Sequence, residues 1–127
     1  MHGKHLYEYA VIRLVPRVER GEFLNVGVIL FSKKRKFLDC RYHINPEKLK
    51  LFSIEIEIGE IRNNLEAFCK ICHGAADGGP VAQWEISDRF RWLTAQRSSS
   101  IQTSRPHNGF SADLTKTLER LFEELVL

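Results

Sequence analysis

The chain has 127 residues, the size of one domain, and buries enough surface on folding to need no covalent or metal staple. Its net charge is only +3, which is weak support for a nucleic-acid-coating protein. The longest apolar run, VGVILF, falls far short of the roughly 20 residues a membrane helix needs, so no membrane partner is expected.

From the N-terminus, Leu6 to Val15 alternates, with Leu6, Ala10, Ile12 and Leu14 opposite Tyr7, Tyr9, Val11 and Arg13, the pattern of a strand ended by Pro16. A polar connection containing Gly21 leads to FLNVGVILF, whose apolar face predicts a second strand paired as a hairpin. The basic turn SKKR then precedes KFLDCRYHI, a third antiparallel strand. Pro46 opens a short helical turn through Phe52, and IEIEI (54–58) alternates before the period changes. From Ile58, the apolar positions Ile58, Ile61, Leu65, Phe68 and Cys72 step by three and four, which predicts an amphipathic helix ended by Gly74. GAADGGP is a loop, Ser87 and Asp88 open a second helix carrying Phe90, Trp92 and Leu93, and RSSSIQTS reads as a fourth strand or an extended arm. RPHNG reads as a turn, after which Leu114, Leu118, Leu121, Phe122 and Leu125 share one face of a terminal helix. The expected architecture is one α+β domain over residues 1–127: an antiparallel sheet of three to four strands, beginning as a β-meander, with helices packed on one face.

Positive charge is concentrated in two blocks, residues 1–43 and 80–110, which alternate with acidic ones. The three cysteines, Cys40, Cys69 and Cys72, offer no even disulfide framework, and the N-terminus lacks the apolar core of a secretory signal, so a reducing, cytoplasmic setting is expected. Cys69 to His73, CKICH, matches the pattern of covalent haem attachment. No export signal or second axial ligand accompanies it, and the cysteines sit at a helix end, where the dipole opposes the thiolate a redox C-x-x-C needs. A zinc site joining Cys40 and His43 to Cys69 and Cys72 is also disfavoured, because residues three apart on a strand point to opposite faces. The cysteines therefore read as core residues, with no haem, metal or other cofactor.

Four stretches, YEYAVIRLVP, RGEFLNVGVILF, RFRWLTAQRSS and the HNGF turn, give the chain a resemblance to the bacterial family of domains of unknown function numbered 3037, over about Tyr7 to Val126. The resemblance implies a one-domain protein without assigning a reaction, and it suggests association with kinases that resemble the HipA toxin, encoded nearby.

The same stretches hold polar residues that packing does not predict: Arg13 in a face of Tyr7, Tyr9 and Val11; Arg20, Glu22 and Asn25 around the hairpin; Arg89, Arg97 and Ser98 flanking the Trp92 helix; and His107. Arginine forks suit carboxylate or phosphate, so these residues are expected to meet in one anion- or partner-binding groove. The competing reading has Arg13 and Arg89 locking loops through Glu22 or Asp39. Catalysis would rest on Glu22 or Asp39 with His107 as acid and base in a small hydrolase or nuclease, but no catalytic motif spacing supports it. Nucleic-acid binding is the second class, through KKRK (33–36) with Tyr42, Trp84 and Trp92 as stacking platforms. The leading expectation is a non-catalytic binding or accessory module.

Overall fold

The computed structural model describes residues 3–15, 22–50, 58–95 and 100–127. Strands β1 (His5–Leu14), β2 (Leu24–Ser32) and β3 (Phe37–Tyr42) form the expected meander. They are followed by α1 (Pro46–Lys50), α2 (Ile58–Cys72), α3 (Ile86–Leu93), β4 (Ile101–Thr103), β5 (His107–Ser111) and α4 (Leu114–Leu125). Lys33 to Lys36 make the β2–β3 turn, closed by Lys36 N–H donating to the Lys33 carbonyl, and Lys36 takes the positive φ of 50° that it requires. The IEIEI alternation lies outside the described residues except for Ile58.

The sheet is antiparallel and has five strands, above the expected three to four, because the segment expected to turn at RPHNG instead forms β5. β4 and β5 lie end to end along the same edge of β1: β4 pairs with Ile12 to Leu14, and β5 with His5 to Tyr9. Ser104 fills the break. Its backbone N–H donates to the Val11 carbonyl at 2.8 Å, and its hydroxyl accepts from Val11 N–H at 2.9 Å, standing in for a strand carbonyl. Sequence reasoning missed β5 because HNG is turn-like in isolation; β1 supplies the partner that holds it extended.

A β-bulge sets the two faces. Ile12 pairs with Gly27 and Arg13 with Asn25, so Val26 has no cross-strand partner. The extra residue turns Val26 to the side of Ala10, Ile12 and Leu14 while Asn25 joins the side of Val11 and Tyr9. Gly27 is required there, since a Cβ would meet the Arg41 carbonyl oxygen at 2.5 Å.

Helices cover both faces, which corrects the one-face expectation. Ala10, Ile12, Leu14, Ile29, Phe31 and Cys40 pack against Ile61, Leu65 and Cys72 of α2 and Phe90 and Leu93 of α3, with Phe31 and Phe90 stacked at 4.8 Å. On the opposite face Tyr7, Val28 and Leu30 pack against Leu114, Leu118 and Leu121 of α4. The sequence already contained the reason: FLNVGVILF is apolar at successive positions, as a strand buried on both sides must be. α3 begins at Ile86, just ahead of the expected Ser87–Asp88 start, and Glu85 occupies the cap position without a side-chain bond. α4 is capped by Asp113, whose carboxylate accepts from Lys116 N–H.

Leu118 is fully buried between α4 and the sheet. Leu118→Ala is expected to cost about 2–5 kcal/mol, read as a lower denaturation midpoint with an unchanged m-value.

Candidate functional site

The described polar residues among those singled out from sequence are distributed over the fold. Arg20, Arg97 and Ser98 lie outside the described residues. Arg13 and Asn25 are cross-strand partners on the α4 face. The Arg13 guanidinium lies over the Phe23 ring, 4.2 Å from its centroid, and Asn25 Nδ2 donates to the Leu125 carbonyl at 3.0 Å. Asn25 thus ties the hairpin to the last turn of α4. Arg13 Nε and Asn25 Oδ1 have no hydrogen-bond partner among the described residues. Glu22 is exposed beside them in sequence.

Arg89 belongs to the other face of the sheet. Its Nη1 donates to the Trp84 carbonyl at 2.8 Å, and its guanidinium carbon sits 3.3 Å from where a Cβ on Gly74 would stand. Gly74 has φ +65°, the left-handed helix-ending conformation, and its bare Cα lets Arg89 pass over the turn that ends α2. This is the loop-locking role weighed against anion binding, with a backbone carbonyl as partner in place of Glu22 or Asp39. His107 pairs with Tyr9 and its ring packs on the Tyr9 ring at 5.3 Å. Tyr9 to Leu14 spans about 17 Å of strand, and Glu22 lies beyond the Leu14–Leu24 pair, so His107 and Glu22 are not placed as an acid–base couple. Among the described residues of the expected groove, Arg13 and Asn25 pair, Arg89 locks a loop, and His107 stacks on Tyr9.

Positive charge gathers instead at one end of the sheet. Lys4, Lys33 and Lys34 line a cleft of about 390 Å³ with Tyr7, Glu8, Asn108 and Phe110. Leu6 is 50% and Phe110 69% exposed there, directly opposite each other across β1 and β5. Arg35 and His5 line the adjoining hollow by the first turn of α4. The basic turn was legible in sequence. Phe110 was not recognised as exposed, because its segment was read as a turn.

A family model described as a protein of unknown function, DUF3037, matches residues 9–126, nearly the entire chain. The chain belongs to the DUF3037 family. No curated protein and no solved structure matches it. The stretches that carried the resemblance are the β1–β2 hairpin, α3 with the segment after it, and β5.

Two further groupings escaped sequence reasoning. Arg91 of α3 grips Glu8 of β1 through two bonds of 2.9 Å, fixing α3 on the sheet. The cysteines converge: Cys40 Sγ of β3 lies 2.8 Å from Cys69 Sγ of α2, and Cys72 is fully buried in the same core. His43, considered as their partner, is exposed beyond the end of β3 and lines a different hollow with Asn45 and Lys48. For Cys40 the Cys69 contact favours the thiolate, but the Cys72 contact, burial and the Asp39 charge outweigh it and push the pKa up. Cys69 is also pushed up, chiefly by the Cys40 contact and then by burial.

Arg89→Met removes the bond to Trp84 while keeping most of the side-chain stem. It is expected to lower stability by about 1–3 kcal/mol, measured by chemical denaturation. A double-mutant cycle on Glu8→Gln and Arg91→Gln is expected to return about 0.2–1 kcal/mol, as exposed pairs do.

Proposed function

We propose that this protein is a non-catalytic binding module that docks an acidic partner protein on the basic end of its sheet. The observation that carries the reading is the cleft where Lys4, Lys33 and Lys34 surround exposed Leu6 and Phe110. An apolar centre ringed by lysines suits a protein interface: the apolar pair supplies desolvated contact, and the cations steer and select an acidic surface. The dispersal of the described arginines into packing roles supports placing the site here and not at Arg13 and Arg89. The separation of Glu22 from His107 supports a binding role over hydrolysis. A HipA-like kinase is the partner that the family resemblance suggests, and the basic end is its docking face.

Nucleic acid is the second reading, favoured by the same exposed Phe110, which offers a stacking surface beside cations. The two ligands respond differently. Co-expressed with a HipA-like kinase from the same locus, the wild-type protein is expected to co-purify with it, and Lys33→Glu with Lys34→Glu to abolish the complex without shifting the thermal transition. Phe110→Ala should weaken the complex at least tenfold. Retention of the complex by both variants would remove this face from consideration. Tight oligonucleotide binding whose logarithm falls linearly with the logarithm of salt concentration would replace the protein partner with nucleic acid.

A further inference from the structure

The C-terminal turn of α2 and the middle of β3 bring four metal-type donors together. Cys40 Sγ, Cys72 Sγ and a ring nitrogen of His73 lie within 4.8 Å of one another, and Cys69 Sγ is 2.8 Å from Cys40 Sγ. The donors come from both partners of one packed contact, since Cys40 sits on the sheet and the other three on the last helical turn and the residue after it. We propose that Cys40, Cys69, Cys72 and His73 bind one zinc ion that clamps α2 to β3.

The chemistry of the donor set selects the metal. Three thiols and an imidazole form the Cys₃His set of structural zinc sites, and soft sulfur ligands disfavour magnesium and calcium. Tetrahedral ligands at about 2.3 Å from zinc stand about 3.8 Å apart, so binding requires the Cys40 and Cys69 thiols to part by about 1 Å from their 2.8 Å separation. On binding, the thiols give their protons to solvent and coordinate as thiolates.

The surroundings carry what such a site needs beyond its ligands. His73 Nε2 is 2.8 Å from Asp39 Oδ1, which leaves Nδ1 as the nitrogen available to the metal. A carboxylate bound to the second ring nitrogen orients the imidazole and strengthens it as a ligand. Asp39 is itself fixed, because Oδ1 also accepts from Cys40 N–H at 2.8 Å and Oδ2 lies 3.6 Å from Arg41 Nη1. The carbonyl end of α2 favours a cation at this place, the same dipole that disfavours free thiolates. Behind the ligands the turn is held by Ala75 N–H donating to the Lys70 carbonyl, and by a Lys70–Asp77 pair at 2.9 Å. His43, exposed beyond the end of β3, lies apart from the cluster, and His73, which follows Cys72 directly in the chain, takes its place.

The test is zinc content and affinity of the full chain, purified anaerobically with a thiol reductant and then titrated with zinc alone. One zinc per chain is expected. Cobalt replacing it should give the intense visible bands of a tetrahedral ion and the ultraviolet sulfur-to-cobalt charge-transfer bands. Cys72→Ala can fail by unfolding, so the deciding variants are His73→Ala and Asp39→Asn, whose side chains are 51% and 27% exposed. With circular dichroism unchanged, His73→Ala should lose at least tenfold in zinc affinity, and Asp39→Asn about 10- to 100-fold. Chelation should lower the thermal midpoint of the wild-type protein by more than that of His73→Ala. Equal zinc affinity in wild type and His73→Ala, cobalt spectra without charge-transfer bands, or a Cys40–Cys69 disulfide in the anaerobically prepared protein would each overturn the proposal.

Discussion

β1 has to satisfy hydrogen bonds on two edges and bury side chains on two faces, and most of the fold follows from how it does so. β2 takes one edge over most of its length. The other edge is shared by β4 and β5, with Ser104 supplying through its hydroxyl the acceptor that a broken strand lacks at Val11. An unpaired buried N–H costs free energy comparable to a lost hydrogen bond, so the late segment must return to β1 after the helical layer is built. That return brings Phe110 opposite Leu6 and fixes where α4 begins.

The bulge at Val26 is the second constraint, and it decides which residues face which layer. Without the extra residue, Asn25 would face α2 and α3; with it, the Asn25 amide reaches Leu125 at the end of α4. Arginines act as fasteners elsewhere in the fold. Arg13 lies on Phe23, Arg89 closes the turn after α2, and Arg91 grips Glu8. Arg91 joins α3 to the sheet, while Arg13 braces the hairpin and Arg89 the turn between the helices. Their spread over both faces leaves the lysines of the β2–β3 turn, with Leu6 and Phe110, as the concentrated surface feature among the described residues.

The cysteine cluster shows how one contact can serve packing and chemistry together. Cys40 and Cys72 belong to the core between β3 and α2, and a reduced cysteine there packs as a small hydrophobe. Asp39 and His73 stand at the rim of that contact, where solvent reaches them. A core of thiols with a polar rim is suited to take up an ion without exposing the apolar residues behind it.

The amino-acid sequence by itself determined the local elements, because they are written in short periods: the alternation of β1, the three-and-four spacing of α2 and α4, and the basic turn. It also determined the family, through stretches whose order runs nearly the whole chain. Tertiary structure alone decided the rest. Whether HNGF turns or extends depends on β1, more than 90 positions earlier in the chain, and which layer Asn25 meets depends on a bulge that has no local signature. Arg13 and Arg89 were legible as unusual but not as lying on opposite faces, since strand and helix periods give a side chain's face but not which layer covers it. The convergence of Cys40 with Cys69, Cys72 and His73 is likewise set by the packing of α2 on β3, a long-range contact whose register the spacing of CKICH does not encode.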